Sequence, residues 1–366
     1  MTTCVEQTRR TLNFSAGPAV LPEPVLEQAR ADLWNIDETG IGVLEHSHRG
    51  PSIDRVFEEA EAACRRVGDV PDDWSVLFLQ GGASMQFAML AMNFLKAGRT
   101  ADYLHTGAWT KRAIADAKAV GDVHVAWDGS GDTFAHLPAA VDIQWSDDPV
   151  YAAYCSNNTI YGTRFDTPPD APAPLIADMS SEMYSRPIDW SKHAMVYAGA
   201  QKNLGPSGMA LVLIRPDLID RVNAALPAML RYDVHADKGS RYNTPPVFGV
   251  YICGLMFQWI ESMGGTAAMS DRNDAKAAKI YDAIDSSGGF WRGHADTACR
   301  SLMNIPFVSP SPEQDAAFLQ AATDNGMSGL KGHRSVGGLR ASLYNALPEA
   351  GCDALAQLMR DVAAKG

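Results

Sequence analysis

The chain has 366 residues, 46% of them hydrophobic and 20% charged, a balance that excludes both a single small module and a globally disordered chain. Asp and Glu number 43 against 31 Lys and Arg, a net charge of −12, which argues against a general nucleic-acid or anionic-membrane binder. Cys4, Cys64, Cys155, Cys253, Cys299 and Cys352 are scattered with no C-x-x-C pair, and the polar first residues hold no apolar signal core; reduced thiols and a cytoplasmic location are expected.

The spacing of Val25, Leu26, Ala29 and Leu33 predicts a helix over 22–37. A second helix carries Ile53, Val56, Phe57, Ala60, Cys64 and Val67; Ser52 is expected to cap it and Gly68 to stop it. Seven short apolar runs then read as buried strands, at 76–79, 103–105, 123–127, 150–155, 175–177, 195–198 and 209–214. Helical patterns at 85–95 and 109–120 lie between them. That alternation predicts an α/β fold with a mostly parallel sheet. The apolar stretch 247–260 is broken by Gly249 and Gly254 and is too short to span a bilayer, so a buried helix is expected. After Gly264-Gly265 come a helix over 267–286 and a strand over 302–308. The run Ser311-Pro312-Glu313-Gln314 starts a further helix as a capping box with proline at the first helical position. A strand over 339–344 and a closing helix over 349–363 complete a smaller α/β unit.

Five motifs carry chemistry. In Gln80-Gly81-Gly82-Ala83-Ser84-Met85, small residues between a strand and a helix let backbone N–H groups and the Ser84 hydroxyl approach an anion. Asp178 closes an apolar strand, where ligands bind in α/β folds. Lys202 follows the next apolar strand and enters a Gly/Pro-rich turn, where a destabilised ammonium can become an amine nucleophile. An aspartate and a lysine at adjacent strand ends suit pyridoxal phosphate, whose ring nitrogen needs a carboxylate and whose aldehyde needs an amine. Trp109, just past a strand end, offers an indole face to a flat ring. Finally, Ser47-His48-Arg49-Gly50 and Lys331-Gly332-His333-Arg334, with Arg340 following, suggest a small dianionic substrate. His46-x-His48 has no third ligand placed by sequence, and no metal is expected. No Walker loop, dinucleotide fingerprint or nucleophile elbow is present.

These motifs resemble the phosphoserine aminotransferases, a class-V branch of the fold-type I pyridoxal-phosphate enzymes. The likeness runs from Asn13-Phe14-Ser15-Ala16-Gly17-Pro18 through Asp178-Met179-Ser180-Ser181, Gln201-Lys202-Asn203 and Tyr242-Asn243-Thr244-Pro245-Pro246. It ends at Gly332-His333-Arg334-Ser335-Val336-Gly337-Gly338-Leu339-Arg340-Ala341-Ser342. The resemblance implies a large domain over 16–264 with a mostly parallel seven-stranded sheet. It also implies a small domain over 265–366, on which residues 1–15 pack.

By the same resemblance, Lys202 would hold pyridoxal 5′-phosphate as an imine and Asp178 would pair with its ring nitrogen. Trp109 would stack on the ring, Ala83, Ser84 and Gln201 would serve the cofactor phosphate, and Thr159 would contact the cofactor. Asn243 and Thr244 would reach the cofactor of a partner subunit in a homodimer with shared sites. Arg340 would hold the substrate α-carboxylate; His48, Arg49, His333 and Arg334 would hold a distal phosphate or the glutamate side-chain carboxylate. The implied reaction moves an amino group between L-glutamate and 3-phosphooxypyruvate, giving O-phospho-L-serine and 2-oxoglutarate, with a phosphorylated acid of pyridoxine synthesis as a second substrate. Ala83-Ser84 stands where some members carry Gly-Arg, and Asn158 and Tyr161 where some carry Glu and His. Two rivals are a class-V transfer for uncharged acids, such as alanine–glyoxylate transfer, and a non-catalytic cofactor or phosphate-metabolite binder.

Overall fold

The computed structural model describes residues 10–365; Cys4 and the rest of the first nine residues lie outside them. Strand β1 (Leu12–Asn13) leads to helices α1 (Glu23–Trp34) and α2 (Pro51–Gly68). Then follow β2 (Ser75–Gln80), α3 (Gly82–Phe94), β3 (Thr100–His105), α4 (Ala108–Lys118) and β4 (Asp122–Asp128). Strands β5 (Ala152–Cys155), β6 (Leu175–Asp178), β7 (Met195–Gly199) and β8 (Met209–Ile214) come next. Short α5 (Pro216–Ile219) and α6 (Tyr232–Asp237) precede the long α7 (Val247–Ser262) and α8 (Gly265–Asp285). The chain ends with β9 (Arg292–Gly293), β10 (Asn304–Val308), α9 (Pro312–Asp324), β11 (Met327–Ser328), β12 (Leu339–Ser342) and α10 (Glu349–Ala363).

All seven predicted strands join one sheet, in the order β2-β8-β7-β6-β5-β3-β4. β8 runs antiparallel to both neighbours and the remaining pairings are parallel. The cause is loop length: a parallel pair needs a crossover of about a dozen residues or more, and the short 200–208 connection only lets the chain double back. That hairpin holds Gln201 and Lys202 at the carboxyl end of β7. Alternate strand residues face opposite layers. Leu77 and Leu79 pack with Phe87, Leu90 and Ile114 from α3 and α4. Val76 and Phe78 pack with Ile53, Phe57, Val250 and Phe257 from α2 and α7. Gly254 lets α7 close on α2, since a Cβ there would lie 3.1 Å from that of Ala60. No single helix among the described residues is long and apolar enough to cross a membrane.

A third core gathers Phe14, Ile280, Trp291, Phe307, Phe318, Leu355 and Met359 under the antiparallel sheet β12-β10-β9. The N-terminal segment joins it: Leu12 pairs in parallel with Met327, and Phe14 is fully buried. Polar pairing ties this core to the large sheet. The Asn345 N–H donates to Asn203 Oδ1 at 3.0 Å and the Asn345 amide donates to the Tyr184 carbonyl at 2.9 Å.

Several boundaries differ from the sequence reading. Helix α2 starts at Pro51 with Gly50 as its cap, because proline presets the first helical turn; Ser52 is buried and caps nothing. Asp69, at φ 49°, and not Gly68, takes the left-handed position after it. Gly68 serves packing instead, since a Cβ there would lie 2.6 Å from the Tyr184 ring. Helix α1 stops at Trp34, where Asn35 leaves the helix, and the adjoining Asp37 and Glu38 take positive φ. The Ser311 cap is present, its hydroxyl accepting from the Gln314 N–H at 3.3 Å. The five described cysteines are unpaired.

Candidate active site

The carboxyl ends of β2, β6 and β7 and the start of α4 converge on a cavity of about 380 Å³. Ala83, Ser84, Trp109, Asp178, Gln201 and Lys202 all line it, so six residues from four separate sequence motifs meet there. At one end, Gly81 and Gly82 have φ of 93° and 61°, which turn the chain from β2 into α3 and leave the first N–H groups of that helix facing the space.

Asp178 and Lys202 are both 7% exposed. Asp178 Oδ1 accepts from the Ser180 N–H at 2.9 Å and the Ser180 hydroxyl at 2.6 Å, which fixes the carboxylate's direction. Burial pushes the Asp178 carboxyl above its ordinary value, opposed by the charge of Lys202 and by Ser180. Burial likewise pushes the Lys202 ammonium below its ordinary value, opposed by Asp178. The Lys202 Nζ donates to the Thr159 hydroxyl at 2.6 Å and stands 5.6 Å from the Trp109 ring centre. The buried Trp109 Nε1 has no hydrogen-bond partner. Gly107 makes this placement possible: its φ is 152°, and a Cβ there would lie 2.3 Å from the Asn158 side-chain nitrogen.

Arg340, on β12, donates to the Thr159 carbonyl at 3.0 Å. His333 and Arg334 lie on the loop before β12, between the bridged residues Lys331 and Leu339. Partial burial, then the charges of Arg340, Arg334 and Arg112, hold the His333 imidazole below its ordinary value. Thr159, His333, Arg334 and Arg340 do not themselves line the cavity, and the remaining predicted residues lie apart from it. Arg49 is exposed in the turn before α2, its N–H donating to the Ser47 hydroxyl at 3.3 Å. His48 is its neighbour, and neither lines the cavity. Asn243 accepts from the Gln80 amide at 3.4 Å outside the cavity, and Thr244 is exposed beside it. The sequence reading missed Arg112, which lines the cavity on α4; its signal was available, since it follows Trp109 by three residues on the same helical face.

A buried amine, an aimed carboxylate, a helix start for a phosphate and an indole with an unsatisfied N–H make a chamber fitted to pyridoxal phosphate. The fold and this chamber define a pyridoxal-phosphate-dependent enzyme of fold type I, and the chain belongs to the class-V aminotransferase family, whose model matches residues 11–355. Within that family it is similar to phosphoserine aminotransferases. That of Geobacillus kaustophilus is 47% identical over 353 residues, covering 96% of this chain and 98% of the relative. The solved phosphoserine aminotransferase of Bacillus circulans subsp. alkalophilus is 48% identical with a TM-score of 0.95, covering 98% of this chain and 100% of that one. The pyridoxal-phosphate-bound phosphoserine aminotransferase of Trichomonas vaginalis is 41% identical with a TM-score of 0.92, covering 96% of this chain and 100% of that one.

Proposed function

We propose that the chain transfers an amino group reversibly between L-glutamate and 3-phosphooxypyruvate, giving O-phospho-L-serine and 2-oxoglutarate. The carrying observation is the buried Lys202–Asp178 chamber with a group of cations beside it: among the described residues, Arg112, Arg334 and Arg340 have no carboxylate partner. An acidic chain that leaves these cations unpaired around one chamber is suited to substrates with two anionic ends.

Pyridoxal phosphate, when bound, supplies the carbonyl carbon that takes up the amino group and an electron sink for the substrate carbanion. Asp178 would hold the proton on the ring nitrogen, its Oδ1 aimed by Ser180. Lys202, biased toward the neutral amine by burial, would take the substrate Cα proton and deliver it across the nitrogen to C4′, the cofactor's former aldehyde carbon. Thr159 would steady that amine. Ala83, Ser84 and Gln201 would hold the cofactor phosphate, and Trp109 would cover the ring. Arg340 would fix the α-carboxylate, and His333 and Arg334 the distal anion. A second phosphorylated oxo acid, of the pyridoxine-synthesis type, would fit the same two anion sites.

We assign a homodimer in the cytoplasm as the working form. Leu33, Trp34, Ile41 and Leu44 are 42%, 86%, 43% and 62% exposed just before His48 and Arg49. A second copy covering that apolar stretch would carry His48 and Arg49 to its own site, and would leave Asn243 and Thr244 at the partner's cofactor.

The test is a coupled assay of glutamate with 3-phosphooxypyruvate against glutamate with pyruvate or glyoxylate. The expected result is a large preference for the phosphorylated acid. Equal or better use of pyruvate or glyoxylate overturns the reading in favour of transfer to uncharged acids.

A further inference from the structure

Arg112 sits in the second turn of α4, with its guanidinium carbon 5.2 Å from the Trp109 ring centre. It lines the cavity, as Ser84 and Phe87 do. It is exposed on the solvent side and has no carboxylate partner among the described residues. It is also close enough to His333 to disfavour that imidazole's proton, together with Arg334 and Arg340. Arg112 on α4 thus lies within electrostatic reach of the loop before β12, and of these cations it is the one that lines the cavity. Like charges held together cost free energy unless an anion lies between them. The anion that α3 is placed to bind would lie at its N–H groups, and the α-carboxylate would lie with Arg340; neither accounts for Arg112 on the cavity lining.

We propose that Arg112 is a substrate-binding residue that grips the distal phosphate or carboxylate of the substrate, sharing it with His333 and Arg334. A cation–π contact with the Trp109 ring holds the guanidinium at the cavity, so it is positioned before the anion arrives. Residues three apart on a helix share a face, so the ring-covering indole and the anion-gripping cation are placed by the same face of α4. Discrimination between a phosphorylated and an unphosphorylated oxo acid would thus rest partly on a residue next to the cofactor. This inference rests on the reading of the chain as a phosphoserine aminotransferase.

The experiment uses the cofactor-loaded enzyme and compares wild type with Arg112→Ala, Arg112→Lys and Lys111→Ala, the last a control that removes a neighbouring exposed charge. Steady-state KM and kcat are measured for 3-phosphooxypyruvate, together with the inhibition constant for inorganic phosphate. The apoprotein of each is titrated with pyridoxal phosphate. Arg112→Ala is expected to raise KM and the phosphate inhibition constant by about tenfold to a hundredfold, with kcat at saturation within about threefold of wild type. Arg112→Lys recovers part of the loss, Lys111→Ala matches wild type, and cofactor affinity stays unchanged. An Arg112→Ala enzyme with wild-type KM and inhibition constant overturns the proposal. So does a variant whose main loss is in cofactor affinity, which would assign Arg112 to the cofactor phosphate. A wild-type enzyme that prefers pyruvate removes the parent reading instead, and is seen before any variant is made.

Discussion

Lys202 donates from its Nζ to the hydroxyl of Thr159 at 2.6 Å, while the carbonyl of the same threonine accepts from Arg340 at 3.0 Å. One residue between β5 and β6 therefore sets the spacing of the amine and the guanidinium proposed to work on the two sides of a substrate Cα. Thr159→Val keeps the shape and removes the hydroxyl. An acceptor on the ammonium favours the charged form, so its loss moves Lys202 further below its ordinary value. The acid limb of the pH–rate profile should shift to lower pH. The lost hydrogen bond is worth about 1–2 kcal/mol, about fivefold to thirtyfold in kcat/KM. An unmoved acid limb would show that Thr159 does not tune the amine.

Gly107→Ala should damage the site without touching a charged group. At φ 152° an L side chain is strained, and its Cβ would lie 2.3 Å from the Asn158 nitrogen and 2.9 Å from the Tyr161 ring. Asn158 donates to the Thr106 carbonyl at 2.7 Å, so relief of the clash breaks that bond or moves the start of α4, and Trp109 with it. A loss of about 1–3 kcal/mol in unfolding free energy is expected. Weaker pyridoxal phosphate binding by apoprotein titration should accompany it. Wild-type values of both would mean that the turn yields without moving α4.

Lys276 gives a pH-dependent prediction in the small core. It is 1% exposed on α8, and its ammonium donates to the carbonyls of Leu343 and Tyr344 at 2.7 and 2.9 Å. Burial lowers its pKa from the ordinary 10.5 to about 8, with smaller effects from Cys352, Arg272 and Glu349. Between those two values the unfolded chain holds more protons than the folded one, so this group's cost to stability falls as pH rises through that window. Lys276→Met removes that slope. In urea unfolding at about pH 7.5 and about pH 9.5, the stability of wild type relative to the variant should grow at the higher pH. A constant difference would mean that Lys276 titrates at its ordinary value when buried.

The sequence exposed most of the sheet because each strand is a short apolar run closed by a small or charged residue. For the same reason Asp178 and Lys202, which close or follow such runs, could be placed at one end of the sheet. The direction of β8 was not visible, because 209–214 is apolar on both faces and only its closeness to β7 decides the hairpin. Lys276 was hidden too: on a helix with Asp271, Arg272 and Asp274 nearby it looks solvated, and only the carbonyls of 343–347 make it a buried donor. Asn203 and Asn345 were silent because their pairing spans 142 positions. Arg112 was overlooked as one exposed charge on a helix, although its spacing from Trp109 was in plain view.

The segment from Leu33 to Arg49 allows the proposed sharing of sites between two copies to be tested without a structure of the pair. If Arg49 serves the site of its partner, Lys202→Ala and Arg49→Ala damage opposite halves of each shared site. In a mixed dimer, one site then combines the intact Lys202 of one copy with the intact Arg49 of the other, while the second site carries both defects. Each variant alone should be nearly inactive with 3-phosphooxypyruvate. Unfolding and refolding an equal mixture should restore about a quarter of wild-type activity, since about half the dimers are mixed and each has one good site. Arg49 is exposed in the single chain, so Arg49→Ala should not fail to fold through loss of core packing, and the fold of Lys202→Ala is checked by circular dichroism. If Arg49 instead serves its own chain, every Lys202→Ala copy lacks the amine and every Arg49→Ala copy lacks the guanidinium, and mixing restores nothing. Adding Trp34→Glu to both variants should abolish the recovery by splitting the dimer, visible as a monomer in sedimentation velocity. Recovery that survives Trp34→Glu would place the contact between copies somewhere other than the apolar stretch before Arg49.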